Sequence, residues 1–357
     1  MNVGIFTFPN STSYGAALQM YALYHTVESL GHTPEVINYQ NTYMKEQKHF
    51  SRKTWLRQTA AKVLHHQAYR NFHAFEKKHM SGYPPKAVSD PKHLRALTER
   101  YDAVICGSDQ VWNPDITGED LSYFLNFCDE NTRRVAYAPS FGISEFSGDF
   151  ANKIRGDLEK FHALSVREAP GQALLSDLLG KDVPLVCDPT LLMDSADWTK
   201  LEKTHPAGEG EYVLYYTIRS SASLWNKCKA FAREKGLKIV VVGGNLLKNL
   251  MKKDDQIRYA VDISPEQWLY LVHHARYVFT NSFHGTAFSI NYRKDFYVEF
   301  SSLTNSRLEQ ITRTLGLRGQ ILGEKKITGA RVDYTTADQV LPQIREASMN
   351  YLTSALK

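Results

Sequence analysis

The order of apolar and polar segments along the chain predicts a βαβ unit at its start. Val3–Phe8 is a short apolar run typical of a buried strand, and the polar loop Pro9–Tyr14 follows it. A helical pattern then runs from Gly15 to Leu30, and Pro34–Tyr39 is the next strand-like run. A strand, a helix and a strand in this order imply a parallel sheet with helices on its faces.

Further strand-like runs in the first half of the chain end in small, polar or charged residues. The runs are Ala103–Cys106, Val135–Ala138, Ala163–Val166 and Leu185–Cys187. The clusters that follow them are Gly107-Ser-Asp109, Pro139-Ser-Phe-Gly142, Arg167-Glu168 and Asp188-Pro-Thr190. Because the carboxyl ends of parallel strands face the ligand crevice in open α/β sheets, these clusters are the first candidates for chemistry.

The pattern restarts near Ser195, which predicts a second domain. The expected strands are 212–216, 238–244, 277–280 and 296–300, with helices at 223–235, 268–274 and 286–292. A terminal amphipathic helix is expected over 336–356, beginning a few residues later if Pro342 lies in its first turn. We therefore expect an α/β protein with two Rossmann-like domains, 1–195 and 196–357, facing a central cleft.

Residues 41–100 differ from this pattern and read as a basic, mainly helical insertion in the first domain. They contain 8 Lys and 5 Arg against 4 acidic residues, a net charge of +9, whereas the whole chain carries +5. Such a patch suits an anionic partner, namely a phosphate-bearing substrate, a lipid head group or nucleic acid. The alternative is a solvated helical face. No recognised nucleic-acid-binding module is visible, so we expect no nucleic-acid partner.

Composition narrows the class of protein further. With 357 residues, of which 43% are hydrophobic, the chain is long enough for about two domains with buried cores. The cysteines at 106, 128, 187 and 228 are far apart, which indicates buried thiols in a reducing compartment. The start of the chain lacks the basic region of a signal peptide. The stretch Val3–Val27 contains no Asp, Glu, Lys or Arg, but polar residues interrupt it, so it does not read as a membrane-spanning helix. We expect a cytoplasmic protein.

The strongest local feature is Thr280-Asn-Ser-Phe-His-Gly-Thr286, between a predicted strand and a predicted helix. The N-terminus of a helix offers N–H groups and partial positive charge, which suit an anion. Gly285 would let a ligand approach the backbone, Ser282 and Thr286 add hydroxyls, and His284 is a candidate general acid. The alternative is a helix cap formed by Asn281 or Ser282, with His284 merely packed.

Other strand ends carry candidate binding residues, each with a structural alternative. Arg167 and Arg307 are placed to grip a carboxylate or phosphate, or to form ion pairs with Glu168 and Glu309. In Gly107–Trp112, Asp109 is a candidate base, and Trp112 offers a flat ring on which a sugar could stack. The structural alternative is that Ser108 or Asp109 caps a helix or a turn. The Asn10–Gly15 loop is suited to hydrogen bonding with the hydroxyls of a ligand, and its structural alternative is a plain βα connection. Gly243-Gly244, which follows a predicted strand, is a weak candidate for binding a phosphate.

Several familiar motifs are missing from the sequence. It has no GxGxxG fingerprint after the first strand, no GxxxxGK[ST] phosphate loop and no GxSxG elbow. It also lacks HExxH, and we expect no metal site at His65-His66 or His273-His274, because adjacent residues of a helix do not face one metal.

Taken together, these segments resemble the polysaccharide pyruvyl transferase family. The resemblance is an ordered series of motifs across most of the chain, in which residues 41–100 have no part. The segments are Asn10–Gln19, Tyr101–Trp112, Ser165–Glu168, Asp188–Thr190, Ala275–Ser289 and Asn305–Arg307.

The resemblance implies a GT-B-like fold and transfer of pyruvate from phosphoenolpyruvate to a sugar as a ketal, with no cofactor or metal. His284 would be the general acid and Asp109 the base. The donor would be bound by Arg167, Arg307, Ser282, Gly285, Thr286 and Gly244. The acceptor, a glycan or a lipid-diphosphate-linked sugar, would be bound by Asn10, Ser13, Tyr14 and Trp112. If the acceptor is lipid-linked, residues 41–100 would dock at the inner membrane face.

One departure from the family pattern concerns the donor. Many members have an arginine two residues before the histidine, where this chain has Ser282, so another arginine must replace it. Arg219 and Arg293 are the candidates. Two other functions remain open, a GT-B glycosyltransferase that uses a sugar nucleotide and a non-catalytic protein that binds a glycan precursor.

Overall fold

The computed structural model describes residues 1–47, 66–80, 87–243, 254–300, 305–323 and 327–357. Contacts divide the chain into two compact units, residues 1–192 with 344–357 and residues 193–343. The division after Leu192 is close to the expected boundary at residue 195. The last residues, however, belong to the first unit, which corrects the expected assignment of the terminal helix to the second domain.

The first unit is built on a parallel sheet. Its strands are β1 (Asn2–Phe6), β2 (Thr33–Val36), β3 (Ala103–Cys106) and β4 (Arg133–Ala136), in the order β2-β1-β3-β4. Single bridges from Val135 to Ala163 and from Val166 to Leu185 continue the pairing. The runs at 163–166 and 185–187 therefore pair as expected but make bridges instead of full strands. All four residues of β3 are buried, as a parallel sheet covered on both faces requires.

The first helix of the first unit is α1, which follows the loop after β1, residues 7–13. They are α1 (Tyr14–Ser29), α2 (Thr42–Gln47), α3 (His66–His79), α4 (Pro91–Thr98), α5 (Pro114–Thr117), α6 (Gly148–Leu158) and α7 (Ala169–Leu179). Ser13 is the N-cap of α1, because its Oγ accepts a hydrogen bond from the backbone N–H of Ala16. Gly31, with φ +83°, follows the helix and turns the chain toward β2.

The described parts of the insertion at 41–100 are mainly helical, as expected. Helix α3 buries Phe72 and Phe75, which contact Tyr14 and Tyr21 of α1 at ring-centre distances of 5.0 and 5.6 Å. Its basic residues lie mostly on the opposite, exposed side. The aromatic Trp55, which the sequence places in the same insertion, lies outside the described residues.

The second unit contains a second parallel sheet. Its strands are β5 (Tyr212–Thr217), β6 (Lys238–Gly243), β7 (Ile257–Tyr259), β8 (Tyr277–Thr280) and β9 (Asp295–Val298), in the order β7-β6-β5-β8-β9. Its helices are α8 (Ser195–Thr199), α9 (Ala222–Lys235), α10 (Pro265–His274), α11 (Phe283–Asn291), α12 (Asn305–Thr314) and the start of α13 (Thr335–Ala355). In each unit the first strand is central, and the chain continues to both sides of it.

Helix α13 belongs to both units, because the division at residue 343 falls inside it. Leu352, Ala355 and Leu356 share a core cluster with Val3 and Ile5 of β1, so burial of apolar surface fixes this end of the helix to the first unit. The expected place of Pro342 in the first turn is wrong. The helix begins at Thr335 and continues through Pro342, just before the chain passes from one unit to the other.

Two sequence expectations concern the cysteines and the membrane. All four cysteines are buried free thiols, as expected, and burial is the main reason that the pKa of Cys187 is raised to about 11. Among the helices of the described residues, none has both the length and the apolar character needed to span a bilayer.

Candidate functional site

The loops after β5 and β8 form the candidate site of the second unit. From these neighbouring strands the chain continues to opposite sides of the sheet, and ligands of open α/β folds bind at such switch points. Asn281 joins the two loops, since its Oδ1 accepts from the N–H of Ile218 at 3.1 Å and its Nδ2 donates to the carbonyl of Arg219 at 2.9 Å. Its only expected role was a helix cap, whereas the structure makes it the link between two loops.

The cap of α11 is Ser282. Its Oγ accepts a hydrogen bond from the N–H of Gly285 at 3.2 Å, and the hydroxyl of Thr286 donates to the carbonyl of Ser282 at 3.0 Å. Both hydroxyls therefore serve the first turn of the helix, as in the capping alternative. Binding of a donor by Ser282 and Thr286 stays a prediction.

The structure gives a reason for glycine at position 285 that differs from the expected approach of a ligand. A Cβ atom at this position would lie 2.4 Å from Thr280 Oγ1 and 2.9 Å from Tyr216 Cδ1. The missing side chain thus lets α11 pack closely on β5 and β8, and it does not open space for a ligand on that side. Packing of the helix against the sheet is what holds its N-terminus in place.

His284 lies in the first turn of α11. It is 8% exposed, and its ring meets that of Phe283 edge to face, with ring centres 5.2 Å apart. The N-terminal turn of a helix carries partial positive charge, so an anion bound here is stabilised by the helix and by a protonated imidazole. The arrangement suits both binding of an anion and transfer of a proton to it.

Arg307 is the third residue of α12, which packs against α11, and it is buried. A guanidinium can bind a carboxylate or a phosphate in bidentate geometry, and binding of a donor by Arg307 stays a prediction. Gly244, the remaining predicted donor residue of this unit, lies outside the described residues.

The structure separates the two arginines proposed to replace the family arginine at Ser282. Arg219 is exposed at the carboxyl end of β5, with its carbonyl bonded to Asn281, the residue next to Ser282. Arg293 follows the other end of α11, where its guanidinium pairs with Asp338 and lies over the ring of Tyr334. A helix rises about 1.5 Å per residue, so Arg293 is remote from His284 and Arg219 is the better candidate.

In the first unit, the loops after β1, β3 and β4 carry an unusual backbone. Asn10, Asp109 and Ala138 have φ values of 56°, 81° and 57°, although none of them is glycine. Residues with a side chain rarely adopt this conformation, and such strain concentrates at functional sites. Asn10 is further held by a hydrogen bond to Asn38, and Asp109 Oδ1 accepts from the N–H of Gln110.

Arg167 lies behind these loops in a buried charged cluster. Its Nη1 donates to Asp188 Oδ2 at 2.5 Å and to Ser108 Oγ at 3.3 Å. Its other nitrogens lie 3.9 Å from carboxylate oxygens of Asp109 and Glu168. Asp188 also accepts from the N–H and hydroxyl of Thr190, so the polar clusters that follow the strands meet in one network.

This geometry favours the structural alternative for Arg167, an ion pair, and its binding of a donor stays a prediction. Nη1 of Arg167 donates to Asp188, and carboxylate oxygens of Asp109 and Glu168 lie within 4 Å of its other nitrogens, so the guanidinium is engaged inside the protein. Burial alone would lower the pKa of Arg167, but the carboxylates outweigh it and raise the pKa. Asp188, Ser108 and Glu168 were not among the predicted site residues, although the strand-end clusters contained them.

The residues predicted to bind the acceptor differ in burial. Trp112 is fully buried, donates from its indole N–H to the carbonyl of Tyr123 at 2.8 Å and stacks on Phe124. It is a core residue, so the expected sugar platform is wrong. Tyr14 is partly buried against Phe72, and Ser13 is exposed as the cap of α1. With Asn10 and Asp109, these two remain at the carboxyl edge of the first sheet.

Comparison with solved structures defines the fold class. The chain is similar to a putative UDP-N-acetylglucosamine 2-epimerase from Listeria monocytogenes, with a TM-score of 0.56 and 9% identity over 99% of this chain and 90% of that one. It is also similar to UDP-GlcNAc 2-epimerase from Neisseria meningitidis bound to UDP-GlcNAc, with a TM-score of 0.51 and 13% identity over 99% and 94%. The chain has a GT-B-like α/β fold.

The family model described as polysaccharide pyruvyl transferase matches residues 14–298. This chain belongs to that family, whose description assigns pyruvyl transfer in polysaccharide biosynthesis. No curated protein matches the sequence significantly.

Replacement of the buried cation tests the cluster around Arg167. We expect Arg167→Met to lower the free energy of unfolding by about 3–5 kcal/mol, because it leaves buried carboxylates without their partner. The control Arg155→Met removes an exposed arginine from α6 and should change it by less than about 0.5 kcal/mol. Urea unfolding followed by circular dichroism measures both. Equal stability of the two variants would contradict the assigned role.

A pair of glycine substitutions tests how α11 is held. We expect Gly285→Ala to destabilise the protein by about 1–3 kcal/mol, because the new Cβ meets Thr280 and Tyr216. Gly156→Ala in α6, where a Cβ meets nothing within 4 Å, should instead stabilise the helix by about 0.5–1 kcal/mol. Thermal unfolding distinguishes the two, and a neutral Gly285→Ala would show that packing does not require glycine.

Proposed function

We propose that this protein transfers pyruvate from phosphoenolpyruvate to two hydroxyls of a glycan or lipid-linked sugar, in the biosynthesis of a surface polysaccharide. The observation that carries the proposal is the family match over residues 14–298, which contains both Asp109 and His284. The structure supports it with an anion-favouring strand edge in the second unit and a carboxylate-bearing strand edge in the first.

The donor requires several positive groups. Phosphoenolpyruvate carries about three negative charges near neutral pH, since the second pKa of a phosphate is about 6. We assign its binding to Arg307, Arg219 and the N-terminus of α11, with Ser282, Gly285 and Thr286 shaping that turn. The exposed guanidinium of Arg219 takes the place of the arginine that many relatives carry at the position of Ser282.

His284 is the proposed general acid. Its protonated imidazole gives a proton to the methylene carbon of phosphoenolpyruvate, which becomes a methyl group, and the neighbouring carbon becomes an oxocarbenium-like centre. One sugar hydroxyl adds to this carbon, and a second hydroxyl then displaces phosphate and closes the ketal ring. One hydroxyl proton restores the acid, and the other leaves with phosphate, so the protons balance.

Asp109 is the proposed base for the acceptor. Of the three carboxylates within 4 Å of Arg167 in the described chain, only that of Asp109 is substantially accessible, with 20% of its side chain exposed against 2% for Glu168 and none for Asp188. A base must reach the hydroxyl proton that it removes. Asn10, Ser13 and Tyr14 are the proposed contacts to the other acceptor hydroxyls.

Stabilisation by the donor provides the first test of this function. A ligand that binds only the native state stabilises it by about 2.7 kcal/mol at about 100 times its Kd, so phosphoenolpyruvate should raise the thermal midpoint. We expect Arg307→Met to lose this shift. Arg313→Met, which removes an exposed arginine of the same helix paired with Glu309, should keep it. His284→Gln should keep most of the shift but lose phosphate release.

The shift of the thermal midpoint also tests which arginine replaces the family arginine and which of the alternative functions is correct. Arg219→Met should weaken the shift, whereas Arg293→Met should not. A shift produced by a sugar nucleotide and not by phosphoenolpyruvate would contradict the proposal and favour the glycosyltransferase. Binding of a glycan acceptor without phosphate release in the wild type, over a panel of acceptors, would favour a non-catalytic protein.

We further propose that the insertion at 41–100 makes a peripheral contact with the inner membrane face. Helix α3 exposes Arg70, Lys77 and Lys78, and α4 exposes Lys92 and Arg95. Each cation near an anionic surface contributes about 1 kcal/mol of attraction, which salt screens. This contact would place a cytoplasmic enzyme beside a lipid-diphosphate-linked sugar.

Vesicle sedimentation tests the membrane contact. We expect binding to anionic vesicles at low salt, a loss of binding at high salt, and weaker binding after replacement of Arg70, Lys77 and Lys78 by glutamine. Neutral vesicles are the control. Binding that does not respond to salt, or the absence of binding to anionic vesicles, would contradict electrostatic docking.

A further inference from the structure

Two adjacent histidines at the end of α10 lie beside one carboxylate. His273 Nδ1 is 2.8 Å from Glu202 Oε1, and His274 Nδ1 is 3.7 Å from Glu202 Oε2. One ligand atom from each of the three residues lies within 4.8 Å of the others. The sequence led us to expect that adjacent histidines of a helix do not serve one metal. That expectation considered the helix alone, whereas Glu202, from a different segment, lies beside both rings.

We propose that Glu202, His273 and His274 bind a divalent transition-metal ion of the zinc type, with water completing its coordination. Imidazole nitrogens and a carboxylate oxygen are preferred ligands of Zn²⁺ and Co²⁺. Tetrahedral bonds of about 2.0–2.2 Å separate ligand atoms by roughly 3.3–3.5 Å. The two separations from Glu202, 2.8 and 3.7 Å, lie on either side of that value, and the three ligand atoms lie within 4.8 Å of one another, so the side chains must turn to admit an ion.

Packing and hydrogen bonds hold the ligands in place, and the Lys294 ammonium is a neighbouring cation beside which the ion would bind. The carbonyl end of a helix carries partial negative charge, and the histidines are the last two residues of α10. Tyr292 stacks on the ring of His273 at 4.4 Å, and Lys294 Nζ donates to the carbonyl of His273 at 2.6 Å. His274 Nδ1 also lies 3.0 Å from the carbonyl of Tyr270, a hydrogen bond that the metal replaces.

The site is separate from the proposed donor site within the same unit. Helix α10 ends just before β8 begins at Tyr277, whereas His284 follows the carboxyl end of β8. The ion would join the segment after α8 to the end of α10, and so would stabilise the second unit. We assign it no part in pyruvyl transfer, and its test does not depend on the proposed function.

Metal binding by the full-length chain tests the proposal. After treatment with a chelator and its removal, the protein is titrated with CoCl₂ and ZnCl₂, followed by the visible absorption of Co²⁺ and by calorimetry. We expect one saturable site, a raised thermal midpoint, and affinity weakened by at least about 10-fold in His274→Gln and Glu202→Gln. His274 is 44% exposed in its side chain, so its replacement should leave the fold intact.

His93→Gln, an exposed histidine of the first unit, is the control and should leave the affinity unchanged. Circular dichroism verifies that each variant is folded. The proposal would be overturned by the absence of a saturable site, which leaves only an ion pair between His273 and Glu202. It would equally be overturned by affinity that is the same in the wild type, His274→Gln and Glu202→Gln.

Discussion

Parallel strand pairing is the constraint on which the candidate sites depend. All pairs in both sheets are parallel, so every strand delivers its following residues to the same edge of its sheet. Because β1 and β5 each have neighbours on both sides, the loops that follow them diverge from those of β3 and β8. Such edges leave backbone and side-chain groups for a ligand while both faces of the sheet stay buried.

The two strand edges carry different charged residues. In the first unit, Arg167 is enclosed by three carboxylates, and Asp109 is the carboxylate that reaches solvent. In the second unit, Arg219, Arg307 and the N-terminus of α11 supply positive charge. For the proposed reaction this division is chemically useful, because an anionic donor needs cations and an acceptor hydroxyl needs a base. Under this proposal, arginine has a structural role in the first unit and a binding role in the second.

Local sequence patterns predicted much of the fold and less of the site. β3 and β8 have the predicted bounds, and the helix before β8 ends where expected, because apolar runs and the residues that follow them are local signals. Trp112 could not be placed by such a signal, since a tryptophan after a strand is equally compatible with a ligand platform and a core. Its burial depends on Phe124 and Phe141, which come later in the chain.

The sequence by itself determined the succession of strands and helices, the polar residues that follow each strand and the family. Only the tertiary structure decided which of those residues share partners. It paired Arg167 with Asp188, made Gly285 a packing residue, assigned the end of α13 to the first unit and brought Glu202 to His273 and His274. The physical reason is range: capping and periodicity act within a few residues, whereas ion pairs and cores join segments far apart in the chain.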